Sequence, residues 1–194
     1  MAAPPDVLVR PGTPTDVNAA SLVVAQADAA RLSPGTGDHS EGHPEVSEAV
    51  TDGSRPPLGP TSETGWERTR ERLADERTFF FVAERADGAI VGAAAGMGGR
   101  LDGGRGEAIP GLCHVSMVSV HPDEWGRGIG GRLLSAVMAE AGERGLERIQ
   151  LFTHDDNFRA RALYERLGFH LTGETAISSS AEHIVRYLLL LPPT

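Results

Sequence analysis

At 194 residues, 40% of them apolar, the chain has room for one domain with a single sizeable core. Its longest apolar stretches, Phe79–Ala83 and Tyr187–Leu191, fall far short of the roughly 20 residues a spanning helix needs, which speaks against a membrane. A net charge of −9, with all 18 basic residues arginine, argues against nonspecific nucleic-acid binding, which neutralises phosphates.

An acidic surface serves plain solubility or the attraction of cationic substrates such as amines. The single cysteine, Cys113, leaves no internal disulfide, and the segment Met1–Asp6 has neither a charged n-region nor an apolar h-region. Both features predict a cytoplasmic protein.

In chain order, Val7-Leu8-Val9-Arg10 reads as a short strand. Pro14-Thr15-Asp16 then supplies helix-start chemistry, and apolar residues recur at helical spacing from Val17 to Leu32. From Ser33 to Gly65 the chain is rich in Pro, Gly, Ser, Thr and acids. That stretch predicts a long flexible insertion, either a lid or merely disordered, with room for a short helix around Pro44–Val50. Trp66–Glu76 reads as a charged helix and Thr78–Glu84 as a strand, with Asp87-Gly88 turning the chain into a second strand, Ala89–Ala95. Met97–Gly111 is expected to be a glycine-rich connection. Leu112–Val120 is apolar on both faces and so belongs at the centre of a sheet. A helix is expected from Gly128 to Arg144, closed by Gly145, then a strand at Arg148–Thr153 and a helix at Phe158–Leu167. Strands at Phe169–Gly173 and His183–Leu191 complete the chain. The order β-α-(insertion)-α-β-β-β-α-β-α-β-β predicts a mixed α/β (α+β) sheet in a single domain, 1–194, interrupted at 33–65.

The strongest chemical signal is the run from Val118 through His121-Pro122-Asp123-Glu124-Trp125-Gly126-Arg127-Gly128-Ile129-Gly130-Gly131. A strand passes into a glycine-rich turn that opens a helix. Glycines let a backbone approach a bulky anion, and the first N–H groups of a helix lack internal partners. Together they make a phosphate site, the alternative being a tight turn required only for packing. A Walker loop is excluded, because no Gly-Lys-Ser/Thr follows. Gly126-x-Gly128-x-x-Gly131 satisfies the dinucleotide fingerprint literally. However, His121–Trp125 separates it from the strand, and the remaining chain is too short for the second half of such a domain.

This turn, with the segment Asn157-Phe158-Arg159-Ala160-Arg161-Ala162-Leu163-Tyr164-Glu165-Arg166-Leu167-Gly168-Phe169, resembles the GNAT superfamily of acyl-CoA-dependent N-acetyltransferases. That family pairs an Arg/Gln-x-x-Gly-x-Gly/Ala turn with a later Asn-x-x-Ala-x-x-Leu-Tyr-x-x-x-Gly-Phe segment. Gly128 and Gly130 fall on the turn's glycines, and Trp125 stands where Arg or Gln is usual. The match runs from Leu112 to Gly173, with a fainter echo at Val9-Arg10-Pro11. The resemblance implies a central, mostly antiparallel mixed sheet with two splayed strands and flanking helices, and acetyl-CoA as co-substrate. It implies that the backbone of Val118 and Val120 pairs with the pantetheine arm. Gly126, Arg127, Gly128, Ile129, Gly130 and Gly131 would hold the pyrophosphate. Asn157 would contact the cofactor, a role compatible with a plain helix N-cap. Tyr164 would protonate the departing thiolate, or else is a core aromatic beside Leu163 and Leu167.

Attack on a thioester needs a neutral amine, and therefore a proton acceptor. Where many members carry a glutamate on the strand before the turn, this chain has His114. Strand alternation places it on the same side as Ser116, Val118 and Val120 unless a bulge intervenes. An unperturbed imidazole titrates near about 6.5, so as a base it would give activity an acid limb at about pH 6–7. The other reading is a half-buried strand histidine. His121 reads as structural, Cys113 as core packing, and the N–H of Val118 as the donor to the oxyanion. His39 and His43, with Asp38, Glu41 and Glu45, form the one metal-like cluster, and no metal is expected from it. The function expected is acetyl transfer to a small-molecule or protein amine by direct attack in a ternary complex. The alternative is a CoA-binding sensor or interaction module without turnover. The acceptor would be set by 33–65, 97–111 and 175–182, and a homodimer fits the family.

Overall fold

The computed structural model describes residues 7–31, 70–75, 77–101, 106–177 and 183–192. The expected insertion at 33–65, its helix at 44–50, the metal-like histidines His39 and His43, and the start of the charged helix lie outside them. Seven strands form one sheet: β1 (Val7–Pro11), β2 (Thr78–Arg85), β3 (Ile90–Arg100), β4 (Ala108–Val120), β5 (Arg148–His154), β6 (His170–Ile177) and β7 (His183–Leu190). Their spatial order is β1-β2-β3-β4-β5-β7-β6. Every neighbouring pair is antiparallel except β4 and β5, which run parallel. The expected mixed, mostly antiparallel sheet is therefore present, with the apolar strand β4 at its centre. The helices are α1 (Val17–Arg31), α2 (Ile129–Glu143) and α3 (Phe158–Arg166), and residues 70–74 are also helical. Among the described residues no helix is long and apolar enough to cross a membrane.

The larger core lies between the sheet and α2 and α3. Ile129, Leu133, Leu134 and Val137 of α2 meet Ala94, Cys113, Val115, Ile149 and Leu151 there, all essentially buried. Glycines in β3 allow the close approach. A Cβ at Gly92 would sit 2.9 Å from Leu133 Cδ1, and one at Gly96 would sit 3.1 Å from Val137 Cγ1. On the opposite face a smaller cluster joins Val17 and Ala20 of α1 and Leu73 to Phe80, Val82, Ala93 and Ala95. Arg10 fastens β1 to the start of α1: its guanidinium pairs with Asp16 at 2.8 Å and also with Glu84. That pairing holds the buried Asp16 carboxyl well below the usual carboxylate range.

Two expectations are corrected. Met97–Gly111 is not a glycine-rich connection throughout: β3 runs on to Arg100 and β4 begins at Ala108, so 97–100 and 108–111 are strand. Ladder hydrogen bonds from an antiparallel neighbour hold glycines whose side chains contribute nothing. Likewise β6 extends through Ile177, beyond the end expected at Gly173. The first strand of the hairpin at Asp87-Gly88, the helix ends at Arg144-Gly145 and the last strand fall where expected, with Gly145 at a φ of 70°.

Candidate active site

The parallel pairing of β4 with β5 is short. It starts at Leu112 with Arg148 and ends at Val115 with Leu151. Beyond it the strands part, leaving a fork lined by Ser116–Val120 on one side and Phe152–His154 on the other. At this point β4 carries a bulge. Ala95 of β3 pairs with Met117 while Gly96 pairs with Val115, so Ser116 is the extra residue.

The bulge corrects one expectation. Val115, Val118 and Val120 all face α2 and α3, whereas Met117 packs against the cluster under α1. His114, adjacent to Val115, faces the α1 side, across the sheet from Val118 and Val120. The bulge reverses the alternation that would have put them together.

His121 N–H bonds Val91 O at 2.8 Å, which marks that pair as hydrogen-bonded in the β3–β4 ladder. Alternation then turns the N–H and C=O of Val118 and Val120 away from β3, toward the fork. The Val120 carbonyl is not free, because the Trp125 indole N–H donates to it at 2.8 Å. Val118 thus offers the fork both its groups, and Val120 its N–H.

At the mouth of the fork the chain turns through Gly126 (φ 82°) and Gly128 (φ 76°), the latter capping α2. Both φ values lie in the left-handed region that favours glycine. A Cβ at either position would meet nothing within 4 Å, so the turn borders open space in front of the α2 N-terminus. That cradle of unpaired N–H groups fits a pyrophosphate. Gly130 and Gly131 serve packing as well, with Leu163 of α3 within 3.3 Å and 3.6 Å of their would-be Cβ atoms. Ile129 is buried, leaving its backbone for any ligand. Arg127 gives its guanidinium to the buried Glu124 at 2.8 Å, with Arg85 on the other oxygen. Its side chain braces the turn through that carboxylate. The cation at the turn comes from elsewhere: Arg159, in the first turn of α3, stacks over Trp125. Sequence reasoning missed Arg159, although an arginine two residues after a helix-capping asparagine was there to be read.

Asn157 caps α3, accepting the Ala160 N–H at 3.2 Å, so the capping role is present. Tyr164 is 7% exposed and lies between Phe169 and Tyr187, with ring centroids 6.1 Å and 5.7 Å away. It is a core aromatic by packing. Its hydroxyl reaches the side chain of Thr153 on β5, just past the last β4–β5 pair, and burial pushes its pKa up to about 12. The fully buried Tyr187 pins α3 to β7: its hydroxyl accepts from Arg161 Nε at 3.2 Å and donates to Glu165 at 2.8 Å.

His114 lies on the other face, its ring 6.1 Å from Phe152, with Nδ1 buried and without a partner. Burial, reinforced by the charge of Arg72, lowers its pKa to about 4. The neutral imidazole is therefore the resting form, and the expected break at about pH 6–7 has to be moved down. Cys113 is fully buried and its thiol is pushed up to about 12 by burial, which makes it a packing residue and no nucleophile. His121 caps the short helical turn Pro122–Glu124, accepting the Asp123 N–H at 3.3 Å, as a structural residue does. Among the described residues no cluster of side chains suits a metal ion.

The family model for the acetyltransferase (GNAT) family matches residues 47–169, more than half of the chain. The mycothiol acetyltransferase of Saccharomonospora viridis is 37% identical over 98 residues, 50% of this chain and 31% of that protein. The chain thus spans about a third of the length of that relative. The ribosomal-protein-S18-alanine N-acetyltransferase of Escherichia coli superposes with a TM-score of 0.65 at 18% identity, over 97% of this chain and 96% of that one. An N-acetyltransferase from Staphylococcus aureus Mu50 gives 0.65 at 18% identity, over 96% and 99%. A putative streptothricin acetyltransferase from Bacillus anthracis, solved in complex with acetyl coenzyme A, gives 0.51 at 18% identity over 63% and 67%. At these identities the structures share the fold.

Proposed function

Because the chain belongs to the GNAT family of acetyltransferases, we propose that it transfers an acetyl group from acetyl-CoA to a primary amine, by direct attack in a ternary complex in the cytoplasm. The observation that carries this reading is the joining of two features on one strand. β4 turns the backbone of Val118 into an unpaired fork and then runs, within a few residues, into an open anion cradle at Gly126–Gly131. An elongated ligand with a diphosphate at one end and an amide-bearing arm at the other fits that arrangement. Acetyl-CoA supplies the activated acyl group.

The chain's own groups divide the remaining work. The N–H groups of the turn and the stacked Arg159 hold the diphosphate, and Asn157 supports it from the α3 corner. The N–H of Val118 stabilises negative charge as it develops on the carbonyl oxygen. Tyr164, kept protonated by burial, is the donor to the departing sulfur. His114 receives the proton of the amine. A buried, unreactive Cys113 favours direct attack over an acyl-cysteine route.

The test is a screen of amines with acetyl-CoA, following thiol release and product mass. Acetylated amine and stoichiometric thiol are expected. Tight acetyl-CoA binding with no turnover for any amine would instead favour the sensor reading.

A further inference from the structure

We propose that the acceptor is a small amino carboxylate, of which a free amino acid is the simplest case, and that Arg72 is the residue that selects for its carboxylate. The proposal rests on the acetyl-transfer reading above and names the substrate class for that site.

The face of the sheet away from α2 and α3 carries a row of side chains across the fork. His114 pairs in register with Gln150, and Phe152, two residues on, pairs with Arg186. Phe152 is 38% exposed, so the floor beside the fork is open and apolar. Helix α1 and segment 70–74 bound this floor on the β3 side. Burial of Leu73 in the cluster under α1 fixes that segment, and the preceding residue, Arg72, extends its guanidinium to the bulge. Its Nη1 lies 3.4 Å from the Ser116 carbonyl oxygen, a long contact that uses one of five N–H donors.

Several arginines of this acidic chain lean on a carboxylate: Arg77 on Asp75, Arg85 on Asp87, Arg144 on Glu140, Arg161 on Asp155. Arg72 has no carboxylate partner among the described residues, its neighbour Glu71 included. Across the floor Arg186 gives Nη1 to Glu174, while its Nε is buried with no partner. An exposed guanidinium that no described carboxylate compensates repels a second ammonium and attracts a carboxylate, for which its planar fork is suited. A carboxylate on Arg72 sets an amine a few bonds away at the Ser116–Phe152 gap, next to His114. It also cancels the positive charge that opposes protonation of His114, so the base strengthens only when a fitting acceptor is bound.

The experiment compares matched acceptors with acetyl-CoA: free amino acids, the same amino acids as neutral carboxamides, and polyamines. The full chain and its Arg72→Met and Arg72→Lys variants are used, with melting temperature as a folding check. We expect kcat/KM for the carboxylates to exceed that for their amides by roughly tenfold or more. Arg72→Met should remove that difference by slowing the carboxylates alone, and Arg72→Lys should retain part of it. Equal rates for acids and amides, a preference for polyamines, or an equal loss on both series in Arg72→Met would overturn the proposal while leaving acetyl transfer intact. Absence of thiol release with every amine would overturn the acetyl-transfer reading and this proposal together.

Discussion

The guanidinium of Arg159 lies 4.2 Å from the ring centroid of Trp125. The pair links the first turn of α3 to the glycine turn, and it accounts for a tryptophan at the position where the resembling family carries Arg or Gln. The indole fixes itself on the Val120 carbonyl and presents its face as a platform on which α3 lays a cation.

From this, Arg159→Ala should weaken acetyl-CoA binding by roughly tenfold, with a shallower dependence on salt than the wild type, because one phosphate-facing charge is gone. Titration calorimetry at two ionic strengths measures both. Arg159 is exposed, so the melting temperature should barely move. Unaltered affinity would leave Arg159 as a brace for the turn alone.

Gly128→Glu adds both a left-handed strain and a negative charge in front of the α2 N-terminus, whereas Gly128→Asn adds a side chain that tolerates that backbone region. We expect the glutamate to cost acetyl-CoA affinity at least about tenfold and the asparagine distinctly less. If the two variants bind alike, and as weakly as each other, backbone conformation rather than charge governs the turn.

Tyr164→Phe keeps the ring between Phe169 and Tyr187 and removes the hydroxyl near Thr153. Turnover should fall by roughly 10²-fold or more, with acetyl-CoA affinity and folding close to wild type. With the phenol pushed up to about 12, Tyr164 should contribute no alkaline limb below about pH 11. Wild-type turnover in the variant would reduce Tyr164 to a core residue.

His114 titrates near about 6.5 when unfolded and near about 4 in the fold. Between those values the unfolded chain holds more protons, so stability falls as pH drops from about 6.5 to 4, by up to about 1.4 kcal/mol per pH unit, and the contribution flattens below that. His114→Gln should lose less stability than the wild type over this window in denaturant melts at pH 7, 5.5 and 4.5. In kinetics, a wild-type acid limb near pH 4 that the variant lacks supports a base. A limb at the acceptor's own ammonium pKa, shared by both proteins, would make His114 a packing residue.

Much of this site was legible because its chemistry is local. The glycine turn, the Asn157 cap and the position of Tyr164 are each written in short contiguous runs. The central place of β4 followed from its apolar residues on both faces. What was not legible depends on pairing between distant strands. Nothing in Cys113-His114-Val115-Ser116-Met117 announces that Ser116 is an extra residue. That single insertion against β3 decides which face His114 occupies. The ribbon of β3 and β4 past Met97 has the sequence of a loop because its glycines lack strand propensity, while the hydrogen bonds that hold it come from the partner strand. Arg72 carries no signal at all until the fold sets it against the bulge.

The β4–β5 seam has a mechanical consequence. Strands β1–β4 and β5–β7–β6 are each zipped along antiparallel ladders, whereas the ladder between them is short: four register pairs from Leu112–Arg148 to Val115–Leu151, extended at one end by the Glu147 N–H to the Gly111 carbonyl. The sheet behaves as two plates sharing a short hinge. A ligand arm lying in the fork becomes a further rung between the plates, so occupancy should damp their relative motion. Amide exchange should then slow on both β4 beyond Ser116 and β5 beyond Leu151 at once, with less effect on the outer strands.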